Sequence, residues 1–409
     1  MRGAAKGLQA GIKQLNPAAL FVHCYAHSLN RALVNAACDT SNLEVRNLFG
    51  LVELIFTFVQ GSPARHAYFL EQQKQLSPHA DAFHLKGLSE TRWNCRAAAL
   101  RRLSTERVFR AVTATVEHVS LTTTDGTVRG TAAGLLNSIT SFKFILYLQL
   151  LTPVMEAVNN VSETLQSPSS DILSAQSQMA ALTAELSRLR SDHSYEAAFT
   201  QAESLAQQLD IECQLPVERQ RKLPRRLDAS VSVPAAAFSP SDQVKINLYF
   251  AVLDRLLAEV KERFPQELTD YAFLEPRHRN AIDAEVHVRR LATVYGLDDA
   301  AAASQWRLSH HLVPSSASIV EAYRLIPLSY TELRRLYQIL LTLPVTTASV
   351  ERSFSKLSLV KTKLRSTMGQ ERLEALLLAS VEKDILLQLD NAELVARFAG
   401  KNDRRMLLS

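Results

Sequence analysis

Residues 343–368 of the 409-residue chain read LPVTTASVERSFSKLSLVKTKLRSTM, and they carry its clearest secondary-structure pattern. The apolar run 339–347 contains a proline, which suits an edge strand because proline cannot donate a ladder hydrogen bond. A helix is predicted to follow over residues 349–365. Thr367 and Gln370 then fit a Thr-x-x-Gln capping pattern, which predicts the start of another helix.

The helix predicted after residue 367 has a single apolar face. Its large apolar side chains recur at spacings of three and four residues, whereas the charged residues mostly lie off this stripe. The stripe comprises Leu373, Leu376, Leu377, Val381, Ile385 and Leu389. Such a stripe usually packs in a core, but it can equally form a subunit interface. The candidate dimerisation residues are Leu373, Leu377, Val381 and Ile385.

The composition favours a folded and mainly helical protein. Aromatic residues make up only 7% of the chain, while Ala, Leu, Arg, Glu and Gln are abundant. A hydrophobic content of 47% argues against a disordered chain. Four cysteines in a chain of this length indicate a reducing compartment. The first ten residues do not resemble a secretory signal and no segment suits a membrane span, so we expect a soluble, intracellular protein.

The first forty residues combine helical and strand patterns. Residues 3–14 have helical spacing, the apolar run 19–24 follows a proline turn like a buried strand, and residues 26–38 return to helical spacing. This succession suits the edge of an α/β layer. Helical patterns then predominate, and the basic, Ser- and Pro-containing segment 215–242 is predicted to be an exposed loop.

Basic residues cluster in two segments although the net charge is only +5. Residues 92–110 contain six arginines and one acid, and residues 218–226 contain five basic residues and one acid. Such clusters could contact nucleic-acid phosphates, or they could be a solvated helix face and a basic loop. Both interpretations stay open. The candidate DNA contacts in these segments are Arg92, Arg96, Arg221 and Lys222.

The sequence Cys24-Tyr25-Ala26-His27 looks like half of a zinc site. A tetrahedral zinc site needs four ligands, and no second Cys/His pair follows nearby. We therefore predict no metal site here, and instead a structural cysteine and histidine where the predicted strand meets a helix.

Several of these motifs together resemble hAT-superfamily transposases and the zinc-finger MYM-type proteins derived from them. The segment 343–368 resembles their C-terminal dimerisation region, and Cys24-x-x-His27-x-Leu29-Asn30 matches a family motif. The resemblance implies a homodimer formed through the C-terminal region and an architectural role for Cys24 and His27. It also implies a nuclear or nucleocytoplasmic location.

The third matched motif is Thr91-Arg92-Trp93. The resemblance implies that the tryptophan of this motif stacks on a flipped base during DNA hairpin formation in active members of the family. Stacking of an aromatic ring on an exposed base is physically reasonable, so Trp93 is a further candidate DNA contact. The alternative is that Trp93 packs against the large helical insertion that the resemblance also implies. We favour this alternative, because a chain that cannot cut DNA has no use for hairpin chemistry.

The resemblance makes Glu351 the last of three acids that hold catalytic metal ions. The family's other two acids have no counterpart in this sequence. One carboxylate cannot organise two Mg²⁺ ions, because Mg²⁺ demands near-octahedral oxygen ligation. We therefore expect Glu351 to be vestigial and stabilised by a helix dipole. No cofactor is expected, and Mg²⁺ would bind only if the missing acids were restored.

The resemblance implies a mainly α protein with a partial RNase H-like α/β layer, in which an incomplete RNase H-like fold is interrupted by a large helical insertion. The predicted divisions are a partial RNase H-like segment at 1–85, a helical insertion domain at 86–320 and the dimerisation region at 325–398. We expect an N-terminally truncated, catalytically inactive remnant that acts, if at all, by dimerising. Two alternatives stay open. Met1 is an internal methionine of a complete DNA transposase, or the protein binds DNA weakly and without sequence preference.

Overall fold

The computed structural model describes residues 7–20, 22–38, 43–88, 94–167, 171–216, 239–264, 266–343, 348–362, 365 and 367–400. These residues are mainly helical and include no strand, which confirms the prediction of a mainly helical protein. The α-helices are α1 (Leu8–Leu15), α2 (Tyr25–Cys38), α3 (Leu43–Gln60), α4 (Pro63–Leu76), α5 (Asn94–Ser104), α6 (Glu106–Thr122), α7 (Gly126–Ile139), α8 (Phe142–Leu165), α9 (Ile172–Leu189), α10 (Asp192–Gln208), α11 (Pro240–Val244), α12 (Ala251–Arg263), α13 (Ala284–Val294), α14 (Asp299–Ser309), α15 (Ile319–Leu325), α16 (Thr331–Thr342), α17 (Ala348–Val360), α18 (Gln370–Val381), α19 (Lys383–Leu386) and α20 (Asn391–Gly400).

Helix α8 is the centre of the first of two compact units, the N-terminal unit (Met1–Val345). Fifteen of its 24 residues are buried. A helix that buries most of its circumference must be surrounded by other elements, and α2, α5, α9 and α10 pack against it. These contacts fix α2 and α5, which follow the Cys24 and Trp93 motifs in the sequence.

Helix α12 packs against α2 and α9 and brings a carboxylate into the interior. A π-helical turn, Lys245–Phe250, joins it to α11. Its Glu259 side chain is 6% exposed and pairs with Arg263 and Arg255 of the same helix, at 2.6 and 3.2 Å. The same carboxylate accepts two hydrogen bonds from the Asn35 amide of α2, both at 3.2 Å. A buried charge therefore links α12 to α2 with its hydrogen-bonding capacity used.

Helices α13 to α16 continue the N-terminal unit, together with the 3₁₀ segments Gln266–Leu274 and Pro276–His278. Helix α16 packs on α14 and α15 through a buried stripe. The stripe consists of Leu333, Leu336, Tyr337 and Leu340. The predicted strand at 339–347 is wrong for residues 339–342, because Leu340 continues this helical stripe to the end of α16. Residues 344–347 lie outside the described residues.

The strand predicted at 19–24 is also wrong for the residues that the structure describes, which exclude residue 21. A turn at Asn16, whose carbonyl accepts the Ala19 amide at 3.0 Å, leads instead into an irregular segment that ends where α2 begins. A strand needs a neighbour to pair its backbone groups, and the described part of the chain offers none. The helix predicted at 3–14 is present as α1, with Leu8, Ile12 and Leu15 exposed.

Helices α17 to α20 form the second compact unit, the C-terminal unit (Thr346–Ser409). Helix α17 packs against α18, and it ends at Val360 instead of the predicted residue 365. The capping prediction is wrong as well. Gly369 occupies the N-cap of α18 with extended dihedral angles and no side-chain cap, so Thr367 lies outside the helix.

The predicted loop at 215–242 lies mostly outside the described residues, which stop at Pro216 and resume at Ser239. The predicted divisions at residues 85 and 320 stay predictions. Across the described ranges, no single helix is long and apolar enough to span a membrane. Only α7 and α8 taken together pass that test, across a 64° bend.

Candidate self-association surface

The predicted apolar stripe of the C-terminal unit runs from the interior to solvent. Leu373 is 8% exposed, Leu377 is half-buried, Val381 is 37% exposed and Ile385 is 59% exposed. Glu382 ends α18 with φ −93° and ψ 45°, so Ile385 lies on a separate short helix, α19. The stripe is therefore not a single continuous face, and the helices of the C-terminal unit leave most of it uncovered.

Exposed apolar side chains are a general property of this unit. Leu373 is the one buried hydrophobic residue among its described positions. Twelve other large apolar residues are at least 37% exposed, namely Phe354, Leu359, Leu376, Leu378, Val381, Ile385, Leu386, Leu387, Leu389, Leu394, Val395 and Phe398. Where exposed apolar side chains form a contiguous patch, they are typical of a surface that contacts another molecule. These twelve residues are called the C-terminal apolar surface below.

Helix α20 contributes part of this surface that the sequence analysis did not single out. Leu394, Val395 and Phe398 have spacings of three and four residues, which place them on one side of the helix. Glu393 and Arg397 form an ion pair beside them at 2.6 Å. The signal available in the sequence was this apolar spacing, which continues past Leu389, the last residue of the predicted stripe.

A lysine holds the end of α18 that begins the exposed part of the stripe. The Lys356 ammonium of α17 donates a hydrogen bond to the carbonyl of Ser380. That carbonyl lies in the last turn of α18, where helical carbonyls lack partners within the helix. This contact ties α18 to α17 beside Val381, so the exposed residues that follow start from a fixed position.

Helices α15 and α16 are ordered by polar contacts of their own. The Ser318 hydroxyl and the Glu321 carboxylate form a capping box at the start of α15. The amide and hydroxyl of Ser318 hold the pKa of Glu321 below its ordinary value, because both stabilise the carboxylate. Arg334 of α16 donates to the carbonyls of Tyr323 and Ile326, at 3.0 and 2.6 Å. Exposed apolar residues occur here too, including Leu325 and Leu328.

Glu351 is the fourth residue of α17, and its side chain lies outside the described residues. Cys24 precedes α2, and its Sγ accepts a hydrogen bond from the His27 amide at 3.4 Å. This contact fits an architectural role, which stays a prediction. Among the described positions, no three His, Cys, Asp or Glu side chains are grouped as metal ligands.

Only one of the five candidate DNA contacts lies within the described residues. Arg92, Trp93, Arg221 and Lys222 lie outside the described residues, while Arg96 belongs to α5. All five described arginines of the 92–110 segment contact other parts of the protein. Their partners are the Phe49 ring for Arg96, Glu156 for Arg101, the Phe83 ring for Arg102, the Asp81 carbonyl for Arg107, and Glu106 with the Gln208 carbonyl for Arg110. These contacts favour a structural role for this basic segment.

Residues 315–385 match the family model of the hAT family C-terminal dimerisation region. The matched span begins just before α15 and ends within α19, so it includes helices of both units. Helix α20 lies beyond it. Over this span the chain is similar to the hAT family, in agreement with the resemblance drawn from its sequence motifs.

Proposed function

We propose that this chain forms a homodimer through α18, α19 and α20. The observation that carries the proposal is the C-terminal apolar surface, where a single described apolar residue is buried and twelve are exposed. Its residues from 376 to 385 belong to a span that matches a dimerisation region. A second copy of the chain is therefore the occupant that best accounts for the surface.

The energetics favour association once several of these side chains are covered. Full burial of a Leu, Ile or Phe side chain is worth about 1.5–3 kcal/mol, and half-exposed side chains gain a corresponding fraction. A twofold dimer repeats every contact, so each covered residue counts twice. Lost translational and rotational freedom opposes this gain by about 4–15 kcal/mol. Four or five covered residues on each protomer are enough to balance that cost.

Sedimentation velocity over the micromolar range tests the proposal. The native protein should sediment as a dimer, and Leu378→Asp combined with Ile385→Asp should yield a monomer, because both side chains are about 60% exposed and their substitution leaves the interior intact. Leu121→Asp is the matched control. Leu121 is 78% exposed on α6, outside the matched region, so its substitution should leave the dimer unchanged.

Two results would contradict the proposal. One is a native protein that stays monomeric throughout the micromolar range. The other is a double variant that remains as dimeric as the Leu121→Asp control. Circular dichroism of the variants distinguishes dissociation from unfolding, since a dissociated but folded N-terminal unit keeps most of its helical signal.

We also propose that this polypeptide does not cut or join DNA. The support is chemical, because the resemblance supplies a single acid, Glu351, and one carboxylate does not organise two Mg²⁺ ions. A strand-cleavage assay with Mg²⁺ or Mn²⁺ on varied DNA ends should give no product above background. Cleavage that disappears in Glu351→Gln would overturn this part of the proposal.

DNA binding, if it occurs, is proposed to be weak, salt-sensitive and independent of sequence. Phosphate contacts supply affinity without specificity, and the contacts of the described arginines inside the protein limit what residues 94–110 can offer. Titration of random and defined duplexes at two salt concentrations tests this. Binding to one sequence that survives roughly 200 mM salt would contradict it.

Three further features that the family resemblance implies belong to the same proposal: an RNase H-like layer, a kinship with zinc-finger MYM-type proteins and a nuclear location. An RNase H-like layer and a kinship with zinc-finger MYM-type proteins are proposed from the resemblance of the same motifs. A protein derived from a DNA transposase is proposed to reside in the nucleus. A fluorescent fusion that is excluded from the nucleus would contradict this location.

A further inference from the structure

Two histidines that the proposed function does not use lie side by side on the N-terminal unit. His66 belongs to the first turn of α4, and His84 lies in the irregular segment that follows α4. Their nearest ring nitrogens, Nε2 of His66 and Nδ1 of His84, are 3.3 Å apart. In a metal-free pair, one of these nitrogens carries a proton and donates a hydrogen bond to the other.

The position of His84 is fixed by its two neighbours in the chain. Phe83 exchanges two hydrogen bonds with the side-chain amide of Gln73, whose Nε2 donates to the Phe83 carbonyl at 2.8 Å and whose Oε1 accepts the Phe83 amide at 2.9 Å. Gln73 is fully buried on α4, and Leu85 is 5% exposed. His84 is therefore held against the helix that carries His66.

The separation of the two nitrogens equals that of two ligands on one zinc ion. Zinc–nitrogen bonds of about 2.0–2.1 Å at a tetrahedral angle place two ligand nitrogens roughly 3.3–3.4 Å apart. Imidazole is a preferred ligand of Zn²⁺. Both histidines come from segments that other contacts hold in place, so little ordering is required when an ion binds.

We propose that His66 and His84 form a two-histidine site for Zn²⁺. Binding needs both facing nitrogens as lone-pair donors, so the proton between them moves to the outer nitrogen of its own ring and no net proton is lost. Among the described residues, no third His, Cys, Asp or Glu joins the pair, so water completes the coordination. The affinity should therefore be lower than that of a closed four-ligand structural site.

Calorimetric titration of the reduced, full-length protein with Zn²⁺ at neutral pH tests the site. His66→Gln and His84→Gln should each abolish one Zn²⁺ binding event or weaken it strongly. The loss of a hydrogen-bond partner of a metal ligand lowers metal affinity roughly 10–100-fold, and the loss of a ligand itself should cost at least as much. His79→Gln is the matched control, because His79 is an exposed histidine of the same segment that is not grouped with the pair. It should leave the titration unchanged.

Thermal unfolding provides a second readout. Zn²⁺ should raise the melting temperature of the native protein and of His79→Gln, because a ligand that binds only the folded state stabilises it. The increase should be smaller in His66→Gln and in His84→Gln. Equal titrations for the native protein and both pair variants would overturn the proposal, and so would a native protein that binds no Zn²⁺ in the sub-millimolar range.

Discussion

Helices α8 and α18 are both rich in leucine, yet they have opposite environments. In α8, 15 of 24 residues are buried, whereas in α18 Leu373 alone is buried. Helices α2, α5, α9 and α10 surround α8, while α17 is the main neighbour of α18. The comparison shows that apolar content does not by itself place a helix in a core. Burial requires neighbouring elements, and the C-terminal unit supplies few.

This difference separates two sources of stability. The N-terminal unit covers its own apolar side chains, so its free energy of unfolding should be independent of protein concentration. The helices of the C-terminal unit leave its apolar side chains exposed, and the unit gains their burial energy only when another surface covers them. Substitutions in the two units should therefore affect different measurements.

The largest expected effect separates the two units directly. Leu151→Ala, at a fully buried position of α8, should lower the free energy of unfolding by about 2–5 kcal/mol, because it removes packed atoms and leaves a cavity. Leu378→Ala, at a position 62% exposed, should change the unfolding of the N-terminal unit negligibly and should weaken self-association. Urea unfolding followed by circular dichroism measures both. An equal loss of stability in the two variants would break the comparison.

A second prediction concerns the buried carboxylate of the N-terminal unit. Burial alone would raise the pKa of Glu259, but hydrogen bonds from Arg263 and Asn35 lower it below its ordinary 4.5. Glu259→Gln should lower the free energy of unfolding by about 1.5–3 kcal/mol at neutral pH, the range for hydrogen bonds to charged groups. If the free energy of unfolding of Glu259→Gln at neutral pH equals that of the native protein, this account is wrong.

The same carboxylate should make stability depend on pH. Because its folded pKa is depressed, its contribution is fully present above the unfolded value of about 4.5 and is lost as pH falls through the lower folded value. The native protein should therefore lose more stability than Glu259→Gln on acidification below pH 4.5. Urea midpoints measured across this range provide the test, and parallel curves would argue against a depressed pKa.

The smallest expected effect lies in the matched dimerisation region. Ser318→Ala removes the capping box at the start of α15 and should cost about 0.5–2 kcal/mol of unfolding free energy. Ser318→Asp keeps a capping side chain and is the control. Because α15 packs within the N-terminal unit, the loss should appear in urea unfolding and leave the dimer intact. Dissociation of the dimer by Ser318→Ala alone would mean that α15 is itself part of the interface.

The sequence predicted the helices better than the strands. The helical spacing of residues 26–38 predicted α2 correctly, because a helix forms its backbone hydrogen bonds within itself. A strand depends on partners elsewhere in the chain, so the apolar run at 19–24 could not reveal that none is present in the described residues. In the run at 339–347, the proline suggested an edge strand, but Leu340 belongs to the helical stripe of α16.

The candidate site was predictable in part for the same reason. The spacing of Leu373, Leu377, Val381 and Ile385 identified an apolar stripe. It could not show that Leu373 is buried while Ile385 is exposed, because exposure depends on which elements pack nearby. The break at Glu382 was also invisible, since the apolar spacing continues across it.

Hydrogen exchange measured at low and at high protein concentration tests most directly whether a second copy covers the C-terminal apolar surface. The backbone amides of α18 and α20 should become more protected as concentration rises, while those of α8 should exchange at the same slow rate throughout. In Leu378→Asp combined with Ile385→Asp, the gain in protection should disappear. Protection of α18 and α20 that is independent of concentration in the native protein would contradict the account.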